Sequence, residues 1–89
     1  MSFQVSDPAL HVLKDTLMST RTDDEQILRI IAQNSEFSLG LSHPEEGDVN
    51  FETEGTLVLA ADEDVAELLD NATIDVETVD GQARLYLAA

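Results

Sequence analysis

The densest group of side chains able to do chemistry is His43, Glu45, Glu46 and Asp48. Three carboxylates suit a hard cation, which takes oxygen ligands, and a neutral imidazole beside them suits iron or zinc. The intervals match no EF-hand loop. A polar stretch with Pro44 and Gly47 also reads as a solvated loop between strands. At this level both readings stand: a carboxylate and histidine metal site, and an acidic connector. His11 follows Leu10 and precedes Val12, and reads as a half-exposed helix side chain. Asp62-Glu63-Asp64 lacks the glycine and the distal glutamate of a calcium loop and reads as a helix cap. Asp75 and Glu77 share one strand face, with Arg84 or Tyr86 expected opposite, which predicts a cross-strand ion pair. An acid/base pair there would need surroundings that split the two pKa values, and the sequence supplies none. Ser42 and His43 are adjacent, so in an extended segment they project to opposite sides. No catalytic residue is assigned.

Charge removes several classes of partner. The formal net charge is −15, and the only cations besides the two histidines are Lys14, Arg21, Arg29 and Arg84. Nucleic-acid binding neutralises phosphates with clustered Lys and Arg, so neither nucleic acid nor an anionic membrane surface is an expected partner. The opposite reading, an acidic mimic that captures a basic protein, is compatible with the charge. So is a high-salt cytoplasm, where counterions screen self-repulsion. There is no cysteine. That excludes disulfides, a thiolate nucleophile, a zinc knuckle and a cysteine-held cluster, so no cofactor is expected. No apolar run approaches the ~20 residues of a membrane span. Met1–Ser6 does not read as a signal peptide, which makes the cytoplasm the expected compartment. A length of 89 residues fits one domain over 1–89.

The elements that must position these residues follow from periodicity. Asp7 as cap and Pro8 as first-turn residue predict a helix over Pro8–Met18, with Leu10, Leu13 and Leu17 on its buried face. Gln26–Gln33 is apolar on both faces and reads as a strand covered on both sides. Asn34-Ser35 is a turn signal. Glu36–Ser42 then alternates, with Phe37, Leu39 and Leu41 expected inward and Ser38, Gly40 and Ser42 outward, so the two runs predict a hairpin. Val49–Glu52 and Thr56–Ala60 read as strands around a Glu54-Gly55 turn. A second helix is expected over Asp62–Asp70, capped by Asp62 and burying Val65, Leu68 and Leu69. Thr73–Val79 and Gln82–Leu87 close the chain around Asp80-Gly81, a hairpin turn that tolerates positive φ. The sum is an α+β domain, mostly β, with two short amphipathic helices packed on mixed or antiparallel sheets.

The order of these pieces resembles the HesB-like, A-type iron–sulfur carrier family. Val5-Ser6-Asp7-Pro8-Ala9 followed by Leu13-Lys14 is similar to that family's opening strand and helix. Ile27-Leu28-Arg29-Ile30 is similar to its Leu-Arg strand, and Pro44-Glu45-Glu46-Gly47-Asp48-Val49-Asn50-Phe51-Glu52 to its Pro…Asp-x-x-Phe-Glu stretch. Gly55-Thr56-Leu57-Val58-Leu59 resembles the following strand, and Leu68 to Asp75 its Leu-x-Gly-x-x-Ile-Asp turn. The resemblance implies three cysteine ligands, one in a glycine-rich loop after the Leu-Arg strand and two in a C-terminal Cys-Gly-Cys. Here the loop is Gln33-Asn34-Ser35-Glu36, and Ala88-Ala89 stand about where the cysteine tail would begin. No family ligand transfers to any residue. The resemblance therefore implies a degenerate, non-enzymatic relative acting as an accessory or protein-binding module, with cluster-assembly components as candidate partners and a homodimer as the implied association. Its expected working surface is the outer face of Phe37–Ser42 with the loop His43–Asp48.

Overall fold

The structure, a computed structural model, describes residues 3–34 and 36–88. Ser35, half of the expected turn signal, lies outside the described residues, as do Met1, Ser2 and Ala89.

The chain runs β1 (Gln4–Val5), α1 (Asp7–Thr20), β2 (Ile27–Gln33), β3 (Glu36–Ser42), β4 (Val49–Thr53), β5 (Thr56–Ala61), α2 (Glu63–Leu68), β6 (Thr73–Val79) and β7 (Gln82–Ala88). The strands form two sheets, ordered β1-β6-β7 and β3-β2-β5-β4. In the first, β1 lies parallel to β6, and β6 and β7 form an antiparallel hairpin. In the second, β2 pairs antiparallel with β3 and parallel with β5, while β4 and β5 are antiparallel. The fold is α+β, mostly β, with mixed sheets, as the periodicity predicts.

Each turn uses a residue suited to its backbone. Glu54 and Gly55 have φ of 53° and 78°, and Asp80 and Gly81 have 52° and 79°. Two successive positive φ values give the turn whose twist matches a tight hairpin. Helix α1 is capped by Ser6, whose hydroxyl accepts from the Ala9 amide at 3.2 Å. Asp7 was the expected cap and is instead the first helical residue, where its carboxylate favours the positive end of the helix dipole. Asp62 caps α2 as expected, accepting from the Val65 amide at 2.8 Å.

The core lies between the sheets and under α1. Phe3, Leu13, Leu17, Val58 and Leu59 are its most deeply buried large side chains. Helix α1 presents Leu10, Leu13 and Leu17 to it, as its spacing predicts. Helix α2 buries Val65, Ala66 and Leu69, while Leu68 is exposed. The expected Leu68 contact fails because the helix ends there and Leu69, its C-cap, turns inward instead. Strand β2 is covered on both sides only at its start. Ile27, Leu28 and Ile30 are buried, but Ile31 is 41% exposed because nothing lies over the outer face there.

The excess of carboxylates spreads over this small surface and repels itself. Raising salt from about 0.1 M to about 1 M shortens the screening length from about 10 Å to about 3 Å. Differential scanning calorimetry is expected to show the melting temperature rising by roughly 5 °C or more over that range.

Candidate functional site

Two features stand out from the packing, and they lie on opposite faces of the same hairpin. On the outer face of β2, Arg29 is a cation within the apolar run Ile27–Ala32, a position tolerated only with a partner. Its guanidinium donates to both oxygens of Asp48, Nη1 to Oδ1 at 2.9 Å and Nη2 to Oδ2 at 2.7 Å. Nε donates to the Ser42 hydroxyl at 3.1 Å, and Nη2 also to the His43 carbonyl at 3.0 Å. The Glu45 amide donates to Asp48 Oδ2 at 2.8 Å, and Glu45 Oε2 stands 3.5 Å from Nη2. The Arg29 and Asp48 side chains are only 12% and 3% exposed. The hydrogen bond from Arg29 holds the Asp48 carboxyl below its ordinary range against the cost of burial, and Asp48 in turn raises Arg29.

This arrangement explains the loop that carries it. Strand order 3-2-5-4 sends the chain from β3 across β2 and β5 to β4. The loop His43–Asp48 must therefore cross three strand spacings, about 14 Å. Arg29 pins its two ends, the His43 carbonyl and the Asp48 carboxylate, onto the sheet it crosses.

The expected ligand set does not converge. Asp48 is committed to Arg29, Glu46 is exposed, and the His43 ring lies 3.4 Å from Asp23 across the loop. Among the described residues no three His, Asp or Glu side chains are placed to hold a metal ion. His11 stands 3.7 Å from Glu54, which also takes Lys14 at 3.3 Å, tying α1 to the β4–β5 turn. Ser42 serves Arg29 and the His43 ring faces Asp23, so the two adjacent residues form no nucleophile and base pair. Asp75 and Tyr86 are register partners, as are Glu77 and Arg84. Asp75 accepts from the Ser6 hydroxyl at 2.8 Å, the main cause of its lowered pKa, so it braces the α1 cap against β6.

The second feature is an open apolar cleft of about 510 Å³ between the two sheets. Its floor is Leu13, Ile30, Leu59, Leu69 and Ile74, and its rims are Phe37 to Leu39 of β3 and Leu85 to Leu87 of β7. Such a volume falls among ligand and peptide pockets. Phe37, Leu39 and Leu41 share a face with the buried Leu28 and Ile30 through the β2–β3 register, yet are 41%, 42% and 41% exposed. The inward expectation holds for direction and fails for burial, because β3 is an edge strand that overhangs the core. Across the gap, Leu87 is 45% exposed. The exposed apolar surface of β3 thus lies on the face opposite the expected working surface, which Arg29 and its loop occupy. The sequence carries only the ingredients, two alternating runs without proline or lysine; that both fall at sheet edges is set by the strand order.

Comparison with solved structures places this architecture. SufA of Escherichia coli, involved in biosynthesis of iron–sulfur clusters, superposes with a TM-score of 0.71 at 13% identity, over 99% of this chain and 85% of SufA. The chain has the A-type iron–sulfur carrier fold. IscA, solved with a [2Fe–2S] cluster, matches with a TM-score of 0.59 at 21% identity, over 97% of this chain and 80% of IscA. A protein from Aquifex aeolicus, solved by NMR, matches with a TM-score of 0.62 at 22% identity, over all of this chain and 92% of the other. At these identities the likeness is one of fold. No protein-family model matches the sequence, and no curated protein matches it.

The donors present do not fit the cluster that IscA holds. Cluster ligation requires thiolates, and these 89 residues contain no cysteine. Where the family resemblance implies a cysteine, β2 ends at Gln33 and the turn runs through Asn34, at a φ of 52°, into Ser35 in the sequence. Amide and hydroxyl oxygens are hard, neutral donors and poor ligands for iron bridged by sulfide. Among the described residues no helix is long and apolar enough to cross a membrane.

Proposed function

We propose that this chain is a non-enzymatic, cysteine-free counterpart of the A-type carriers, working as a protein-binding accessory module and holding no cluster of its own. The supporting observation is the pairing of a carrier fold that lacks thiols with an open apolar cleft. A cleft built for chemistry would gather titratable groups whose pKa values are pulled toward neutrality. Among the described residues, Tyr86 is the only ionisable one lining this cleft. The perturbed groups lie elsewhere and are held charged by structural partners. They are Asp23, lowered by the Glu25 amide, Asp48 and Arg29, which hold each other, and Asp75, lowered by Ser6. Cluster-assembly proteins are the partner class that the fold suggests.

The test has two arms. Anaerobic incubation with ferrous iron and sulfide, followed by desalting, is expected to leave only substoichiometric iron and sulfide on the protein. Titration calorimetry against cluster-assembly proteins encoded by the same genome is expected to show saturable binding by at least one. Stoichiometric retention of sulfide, or no binding by any of them, overturns the reading.

A further inference from the structure

The cleft has a feature that specifies its occupant, and the argument rests on the protein-binding reading above. The two sheets have four edge strands. An exposed edge presents unpaired backbone groups, and folded proteins usually blunt it with a short strand, a bulge, a proline or a charge. Strand β1 has two residues, and β4 is broken by a register shift between Phe51 and Glu52. Strand β7 carries Arg84 beside the cleft residue Leu85. Strand β3 has seven residues with no bulge and no proline, and no charge along the stretch Phe37–Leu39 that lines the cleft. Its register with β2 runs unbroken from Gln33↔Glu36 to Ile27↔Ser42, and its only charge is Glu36 at the start. It offers a bare edge beside an apolar cleft, the arrangement in which an added strand gains backbone hydrogen bonds while alternate side chains fill a pocket.

Charge decides which strand enters. A second copy of this chain brings another −15 up to a molecule that already carries −15. Of the four cations, Arg29 is locked to Asp48 and Lys14 to Glu54. Electrostatic complementarity rejects like charge and speeds encounter with opposite charge. We propose that the cleft binds an extended apolar segment of a partner protein, flanked by Lys or Arg, added as a strand along β3. Its alternate side chains then meet Phe37 and Leu39 on one rim and reach toward Leu87 on the other. The bare edge stays soluble because the molecule's own charge repels other copies.

Two synthetic peptides serve as probes in titration calorimetry at low salt. One is Lys-Lys-Thr-Val-Thr-Leu-Thr-Val-Thr-Lys-Lys, and the other has glutamates in place of the lysines. The lysine peptide is expected to bind at least about tenfold more tightly, and its advantage to shrink as salt rises. Leu39→Asn, at a half-exposed position, is expected to weaken it about tenfold, and Leu87→Asn on the opposite rim does the same if the first variant folds poorly. Leu68→Asn, exposed on α2 outside the cleft, is expected to leave binding unchanged. Equal affinity for the two peptides, no binding of either, or indifference to Leu39→Asn and Leu87→Asn overturns the assignment. So does sedimentation of the free protein as a dimer that Leu39→Asn separates, because a second copy would then be the occupant. If an assembly protein binds while neither peptide does, the module reading stands and this assignment falls. Stoichiometric cluster uptake removes the module reading whatever the peptides do.

Discussion

Phe3→Ala is expected to remove about 4 kcal/mol of stability, the upper part of the range for truncating a buried aromatic ring. A domain of this length holds roughly 5–10 kcal/mol in all, so the variant should melt roughly 20 °C lower. The reason lies in what the ring anchors. Phe3 is 1% exposed, and its ring centroid lies 4.9 Å from that of Phe51 in β4. It precedes the two-residue strand β1, which is held to β6 by bonds from the Gln4 amide to the Ala72 carbonyl at 3.0 Å and from the Ser6 amide to the Ile74 carbonyl at 2.9 Å. Two backbone bonds do not hold a strand alone; the buried ring beside them does. Ser6 in turn caps α1 and braces Asp75. Losing the ring therefore loosens a cap, a strand and the β6 contact together. Urea denaturation gives the loss, and hydrogen exchange at the Gln4 and Ser6 amides should quicken more than at buried amides of β5. Phe3→Leu, which keeps most of the volume, should cost about 1 kcal/mol. If Phe3→Ala costs no more than Phe3→Leu, the ring is not the anchor.

Much of this architecture was legible from pattern alone because its elements carry strong local signals. The i, i+3, i+7 leucines of α1, the alternation of β3 and the Asp80-Gly81 turn each specify geometry within a few residues. What pattern could not show was which strands are edges. Phe37, Leu39 and Leu41 alternate like a core strand, and whether a facing sheet covers them depends on the order β3-β2-β5-β4. The cleft arises from that order and is invisible to periodicity. Leu68 failed for a local reason, since a helix that stops at Leu68, two residues short of the expected Asp70, turns its last leucine to solvent. The acidic loop failed as a ligand set for an electrostatic reason. His43, Glu45 and Asp48 are close in sequence, but a cation 14 residues before His43 claims the carboxylate of Asp48 and the carbonyl of His43. Half of that pairing had a signal of its own: an arginine inside Ile-Leu-Arg-Ile-Ile needs a carboxylate, but the sequence offers Asp23-Asp24-Glu25 nearer than Asp48, and only the strand order selects Asp48. The cysteine count, by contrast, is read without any fold, because no folding supplies a missing thiolate.

Removing that cation is the second large effect. Arg29→Ala is expected to cost about 3 kcal/mol, because it strands a carboxylate that is almost fully enclosed and frees the crossing loop. Asp48→Ala should cost a similar amount, leaving the guanidinium without its bidentate acceptor and the Glu45 amide without a partner. The double variant Arg29→Met with Asp48→Leu should fall well short of the sum of the singles, since neither charge is then left alone. The pH dependence follows from the direction of the Asp48 shift. Its folded pKa lies below the ordinary carboxylate value of 3.8, so its contribution is complete above that value and disappears as pH falls through the lower, folded one. The stability gap between the native protein and Asp48→Asn should therefore stay constant from neutral pH down to about 5 and close below about 4. A gap that widened on acidification would mean that Asp48 is protonated in the fold and donates rather than accepts. The pair also separates structure from recognition. It lies on the face of the hairpin opposite the cleft, and the Met and Leu double variant leaves the net charge unchanged. Below its melting temperature that variant should bind the lysine-flanked peptide as the native chain does. If it does not, the crossing loop shapes the cleft edge and the two faces of β3 act as one site.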